Sequence, residues 1–322
     1  MAKSPRSKKN IASNRPATQA AKRAPAKAPV KTSSGRPAGL FTWLAIGLVV
    51  VVVATLVLVK VMSSSPTAAG KGTFSPVDST TLAQITGVPM SVFNTVGVTS
   101  QVVQVTAPLA VKGQPPLTAQ SSAGTTLPEV FYLGAEYCPY CAAQRWSTII
   151  ALSRFGQWSG LGNMASYAHD TYPNTPSFTF VKSTYKSKYI AFKGVEEYAN
   201  YLNAAGTNYQ LLQKPTKAQT ALVTKYDSSK YFKGLQGSPI PFMSLDNKFL
   251  VSGASFSPDA LTNLTRANIA TGLSDPTSPV TDAIIASANL QTAAICSFTK
   301  NLPSNVCTSS GVMAAKTAMK IK

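Results

Sequence analysis

Acidic residues are scarce and unevenly placed: 11 Asp and Glu stand against 30 Lys and Arg, and none precedes Asp78. Histidine is scarcer, His169 alone, and there are four cysteines in 322 residues. That shortage speaks against zinc, because the pair Cys296 and Cys307 has ten residues between its members where zinc pairs usually have two to four. Aromatic side chains are missing from residues 1–39, so this basic stretch has nothing to stack on bases as single-strand nucleic-acid binders do. No internal repeat, heptad run or second long apolar span occurs. What the chain does have is an apolar content of 44%, ordinary for a packed core and incompatible with global disorder.

The net charge of +19 divides into a tail and a body. Ten basic residues precede Gly39, whereas from Lys60 onward 20 basic and 11 acidic residues leave about +9. The Ala, Pro, Ser and Lys-rich tail, residues 1–39, lacks the apolar surface needed to fold and reads as a disordered cytoplasmic segment. After it comes LFTWLAIGLVVVVVATLVLV, Leu40 to Val59, 20 uncharged residues. A helix of that length spans roughly 30 Å, the hydrocarbon thickness of a bilayer. The spacing predicts one transmembrane helix over 40–62 with the N-terminus inside, since basic flanks favour the cytoplasmic side. A cleaved signal peptide is the alternative: its apolar region is normally about 7–15 residues, shorter than this one, although small residues near Pro66 to Gly70 resemble a cleavage site.

Residues 63–76 then read as a linker, 77–310 as an exported domain and 311–322 as a basic C-terminal tail. Within the domain, Ser100 to Val105 and Glu129 to Ala135 are strand-like, and Ala142 to Phe155 has a helical apolar face. Pro176 to Phe192 suggests one or two further strands. The segment around Pro215 to Tyr226 suggests a polar helical insertion. Pro239 to Phe256 reads as a hairpin turning at Asp246-Asn247, and helices are expected near Asp259 to Thr271 and Val280 to Thr299. Strand, CxxC, helix and later a proline-led hairpin is the order of a thioredoxin-like α/β domain, with a helical insertion and a helical C-terminal extension.

The chemistry concentrates at Cys138-Pro139-Tyr140-Cys141. A cysteine at a helix start meets unpaired backbone N–H groups and the positive end of the helix dipole, both of which favour thiolate. Cys138 is therefore the candidate nucleophile, and Cys141, one turn on, the thiol that resolves a mixed disulfide. A structural CxxC staple and half of a zinc site are the competing readings. Pro241, opening the strand Phe242 to Leu245, is the candidate cis-proline facing the pair, with Pro239 as runner-up. Glu136 could take a proton from Cys141 and Arg145 could favour thiolate, but solvated or ion-paired charges are the plainer reading of both. His169 reads as a loop residue, and Asn263-Leu264-Thr265 is a weak glycosylation sequon.

The stretches EYCPYCAAQRWSTIIALSRFG, PIPFMSLDNKFLVSGASFSP and TAAICSFTKNLPSNVC resemble an uncharacterised family of membrane-anchored, thioredoxin-like proteins, domain-of-unknown-function family 929. The resemblance covers about Val88 to Cys307 and implies a thioredoxin-like fold outside the membrane, with no established substrate. The CPYC tetrad is similar to that of glutaredoxins, and anchoring plus export is similar to periplasmic thiol oxidases. Tyr140 stands where those oxidases often carry histidine, and Tyr137 where thioredoxins carry tryptophan.

The expectation is a single-pass membrane protein whose extracytoplasmic domain exchanges thiols and disulfides with exported cysteine-containing proteins. A membrane redox partner would regenerate the pair, and no organic cofactor, metal or nucleic acid is required. Cys296 and Cys307 are expected to form a structural disulfide. The rival expectation is a membrane-tethered binding or scaffold domain that keeps the shape without the chemistry.

Overall fold

A computed structural model of the chain describes residues 74–321 apart from 101–102 and 122–123. The tail, the apolar run at 40–62 and most of the linker lie outside the described residues. Among the described residues no helix is long and apolar enough to cross a membrane.

In chain order, the short strand β1 (Ser75–Pro76) leads to α1 (Ser79–Thr86) and α2 (Met90–Val96). Strands β2 (Leu109–Ala110), β3 (Thr118–Gln120) and β4 (Thr126–Gly134) follow, then α3 (Pro139–Ser153). Next come β5 (Gly156–Ser159), β6 (Gly162–Ala165), β7 (Pro176–Thr179), β8 (Thr184–Ser187) and β9 (Ala191–Glu196). The hairpin β10 (Tyr198–Leu202) and β11 (Tyr209–Leu211) precedes α4 (Lys217–Tyr226). A second hairpin, β12 (Phe242–Leu245) and β13 (Phe249–Ser252), leads to α5 (Arg266–Gly272), α6 (Pro279–Phe298), α7 (Ser304–Cys307) and α8 (Ser310–Ala318).

The main sheet runs β2-β13-β12-β4-β3, with β9 also paired to β4. The β4–β9 pair is parallel, from Glu129 opposite Ala191 to Gly134 opposite Glu196, whereas β12 pairs β4 antiparallel. Alternation along each strand sends side chains to two faces. Val130, Tyr132, Met243 and Leu245 face one core with Trp146, Ile149 and Ile150 of α3. Phe131, Leu133, Val195 and Phe242 face a smaller one closed by Val223 and Tyr226 of α4. Because β4 is covered on both faces, its apolar run is continuous, which is why it reads clearly in sequence.

Helix α6 is buried around its whole circumference, so it is an internal helix rather than a surface one. Its buried Gln291 is paired with α3: Thr148 Oγ1 donates to Gln291 Oε1 at 3.1 Å and Gln291 Nε2 donates to Ser147 Oγ at 2.9 Å. Left unpaired, each such group would cost about 1–3 kcal/mol.

The α/β class holds, and so does the hairpin turning at Asp246 and Asn247, both with positive φ as a two-residue turn of this kind requires. Several expectations are corrected. Residues 103–108 are irregular rather than the tail of a strand at 100–105; Val103 and Val105 still pack against the core, and strand pairing starts only at Leu109. The region 176–192 contributes to three strands, β7, β8 and the start of β9, and the insertion is a hairpin plus one helix rather than helical throughout. The helix expected at 259–271 breaks into a 3-10 turn, Pro258–Leu261, and α5, with Asn263 at φ 62° between them. Within the segment expected as a basic C-terminal tail, α8 buries Val312 and Ala315 against α2 and α6. The linker's end is also structured, because β1 pairs with β6.

Candidate functional site

Strand β4 delivers the chain to Ala135, and Cys138 becomes the N-cap of α3 with extended backbone (φ −78°, ψ 121°). Pro139 at the first helical position donates no N–H and presets φ, which suits a helix start. The Cys138 sulfur accepts the Cys141 N–H at 3.3 Å, as an N-cap side chain does. Cys138 and Cys141 are both free thiols.

The two thiols are unequal. The Cys138 pKa is lowered, chiefly because the Cys141 side chain hydrogen-bonds to its sulfur; burial opposes this, while the Cys141 and Tyr140 amides and the Arg145 charge assist. The Cys141 pKa is pushed well above the ordinary thiol range, first by burial and then by Cys138 itself. Cys138 is only 6% exposed, so exposure is not what favours its thiolate. Its sulfur lies under the Ile240 carbonyl, to which the thiol donates at 3.7 Å. Pro241 follows at once, buried, and the Ile240–Pro241 bond is cis; Pro239 is not the cis residue.

Arg145 and Glu196 form the second layer. Arg145, four residues after Cys141, is fully buried and ion-paired, the second of the two plain readings of its charge, rather than solvated. Its Nε and one Nη donate to Glu196 at 2.8 and 2.6 Å, and that same Nη donates to the Ala135 carbonyl at 2.8 Å. The Ala135 carbonyl also accepts the Cys138 N–H, so the guanidinium fixes the turn that presents Cys138. Tyr132 lies beside this pair; its hydroxyl is buried without a partner and its pKa is raised well above normal, first by burial. That hydroxyl crosses over Gly134, where an added Cβ would clash with it, which explains the glycine at the end of β4. Glu136 is raised by burial, with Thr179 as a partly offsetting donor.

Two clusters of tyrosines form around Tyr137 and Tyr140, the residues that flank Cys138 and Pro139, and sequence reading missed them. Tyr137 stacks on Tyr209 with centroids 3.9 Å apart and planes 4° apart; Tyr167 meets Tyr209 edge-on. Tyr140, 43% exposed, meets Tyr172 edge-on, and the Tyr172 hydroxyl donates to Asp259 at 3.2 Å. The residues come from the turn before α3, α3 itself, the loop after β6 and the β10–β11 hairpin, so no local motif announces them. Burial pushes Tyr137 up to about 12. His169 is exposed beside Tyr167 and makes no contact with the thiols.

Cys296 and Cys307 are bonded to each other, joining the last turn of α6 to α7, with both residues fully buried. The cis bond at Leu302–Pro303 lies inside the loop they close and was not foreseen.

Fold and site together define an α/β domain that presents a reduced dithiol at a helix start, beneath a proline-led hairpin. The chain belongs to the family described as a domain of unknown function (DUF929), which matches residues 117–297 and so takes in the dithiol, the hairpin and Cys296. A search of curated proteins and of solved structures finds no match.

Proposed function

We propose that the chain is a membrane-anchored, extracytoplasmic thiol–disulfide oxidoreductase built on a thioredoxin-like domain. The observation that carries this reading is the opposed tuning of two free thiols at one helix N-terminus: Cys138 lowered and Cys141 raised. A staple needs no such difference; an exchange reaction does, because the first thiol must attack as thiolate while the second waits as thiol.

In the forward sense, the Cys138 thiolate attacks one sulfur of a partner disulfide and expels the other as thiolate, forming a mixed disulfide. Cys141 then loses its proton and attacks the Cys138 sulfur. The partner's second thiolate leaves, two electrons have passed to the partner, and Cys138–Cys141 is the new disulfide. The reverse sequence oxidises a partner dithiol. The Ile240 carbonyl beside Cys138, followed by Pro241, offers an acceptor to the backbone of an extended substrate segment. Partners are exported cysteine-containing proteins and a membrane redox protein that resets the pair.

The test is capture by the full-length chain. Cys141→Ala should accumulate mixed disulfides through Cys138 that reductant releases, and Cys138→Ala should accumulate none. One equivalent of alkylating agent at neutral pH should label mainly Cys138. Equal labelling of both thiols, with nothing trapped by Cys141→Ala, would sink the enzyme reading and leave the scaffold one.

A further inference from the structure

Large apolar side chains that stay exposed gather on the two elements that flank the dithiol. Of the six among the described residues, four are Tyr140 at the start of α3 and Tyr198, Leu202 and Leu211 on the β10–β11 hairpin; Leu302 and Met313 are the others. Tyr198 and Leu211 are cross-strand partners, so they share a face of the hairpin. The hairpin is held against the turn that leads to Cys138: the Glu136 N–H donates to the Tyr198 carbonyl at 2.8 Å, and the Tyr137 and Tyr198 rings lie 6.5 Å apart. The loop after β6 is tied to the same turn, with the Tyr167 N–H donating to the Tyr137 carbonyl at 2.9 Å. Clustered exposed apolar side chains mark interaction sites, and this cluster stands beside a reactive thiol.

Charge narrows what docks there. From Lys60 onward basic residues outnumber acidic ones 20 to 11, yet the tyrosines next to the dithiol each have an acidic neighbour. Burial is the first cause that raises the pKa of Tyr137, Tyr209 and Tyr140; the charge of Glu197 adds to the first, Asp170 to the second and Asp259 to the third. Cys138 adds to all three, so its thiolate belongs to the same patch of negative charge. Asp259 is exposed, Asp170 and Glu197 are half-buried, and neither ion pair among the described residues uses any of them. Arg145, the cation that favours the Cys138 thiolate, is sealed and committed to Glu196.

Tyrosine faces beside unpaired carboxylates suit one kind of side chain. Lysine and arginine lay an apolar stem along such a surface while the charged head reaches an acid or a ring face. We propose that this surface docks the partner polypeptide, which presents its cysteine in an extended segment rich in lysine and arginine. The stems lie along Tyr140, Tyr198 and Leu211, and the heads reach Asp259, Asp170 and Glu197. This rests on the thiol-exchange reading above and names its substrate class.

Three peptide homodisulfides of one length test it, with the cysteine flanked by lysine, glutamine or glutamate. With the reduced full-length chain, one peptide S–S bond breaks and the Cys138–Cys141 bond forms, while two electrons and two protons pass to two peptide thiols. Each rate is divided by that of free dithiothreitol with the same peptide, which removes differences in thiol reactivity. At about 0.1 M salt the Debye length is about 10 Å, so the local acids outweigh the distant lysines of the domain. The lysine peptide should react at least about 10-fold faster than the glutamate peptide, with the glutamine peptide between them. Asp170→Asn with Glu197→Gln and Asp259→Asn should bring that ratio to about 2 or less. Tyr198→Ser with Leu211→Ser should slow all three peptides about 5-fold. Equal rates for the three peptides in the unaltered protein overturn the basic-partner proposal and leave thiol exchange standing, whereas no reaction with any of them removes both. An unchanged ratio in the triple variant, or no slowing in Tyr198→Ser with Leu211→Ser, overturns the docking surface.

Discussion

Asp227 shows how a single buried group makes stability depend on pH. It caps the C-terminal end of α4, is 2% exposed, and neither carboxylate oxygen has a hydrogen-bond partner. Burial pushes its pKa up to about 6, with Ser252 alongside giving only partial relief. An unfolded aspartate titrates near about 3.9, so the folded chain holds the proton more tightly than the unfolded one. Stability is therefore fully present below about pH 4, falls as pH rises through about 6, and is flat above that as far as this group is concerned. Asp227→Asn removes the charge and keeps the shape. It should stabilise the protein at pH 7.5 by about 1–2 kcal/mol and give no gain at pH 4. Denaturant unfolding at the two pH values checks this, and a gain of the same size at both would refute it. The thiols obey the same rule with opposite signs: alkylation of Cys138 should titrate below, and that of Cys141 above, the ordinary thiol value of about 8.5.

Between elements, α3 is tied to β9 by the Arg145–Glu196 pair and α6 to α7 by the disulfide, and the two ties respond differently to removal. Arg145→Met leaves the Glu196 carboxylate buried and unpaired, which should cost about 3–5 kcal/mol; Arg145→Met with Glu196→Leu should recover most of that loss. A double variant no more stable than the single one would mean that the contact to Ala135, not the charge balance, matters most. The disulfide spans only 11 positions, so the chain-entropy model sets its contribution at about 3 kcal/mol at most. Cys296→Ser with Cys307→Ser should lower the melting temperature yet leave mixed-disulfide capture by Cys138 intact; loss of capture in a folded double variant would instead make the second pair an electron relay. What sequence reading could and could not find follows the same division. The apolar run of β4, the CPYC N-cap and the Asp-Asn turn are local signals, and they were legible. Glu196 was not, because its role depends on the parallel register that sets it opposite Gly134. Helices α1 and α2 are 8 and 7 residues long, too short for a clear period, although Asp78 caps the first. Helix α8 was hidden because its buried face includes Ala315, Gly311 and the partly covered Lys316, none of which reads as core. The tyrosine clusters are spread from Tyr137 to Tyr209 and exist only once the chain has folded.

For the whole molecule, compartment and chemistry stand or fall together. A disulfide between Cys296 and Cys307 persists most readily outside the cytoplasm, and exchange through Cys138 needs partners whose cysteines are being oxidised or reduced there. Orientation is governed by basic residues within about 15–20 positions of each end of the span. Lys22, Arg23, Lys27, Lys31 and Arg36 lie before the apolar run, against Lys60 and Lys71 at or after its end. On the membrane-anchored reading proposed above, that asymmetry would put the N-terminus inside even though the domain beyond is itself basic, because distant charges in a large exported domain would count little. Protease added to intact cells should therefore digest the domain from residue 74 onward and spare an N-terminal tag. Replacing the five upstream basic residues by glutamine should yield a fraction of inverted molecules, in which the domain is protected. In that fraction the Cys296–Cys307 bond should be reduced and Cys138 should trap no exported partner. Protection of the domain in the unaltered protein would reverse the orientation and remove the compartment on which the thiol-exchange reading depends.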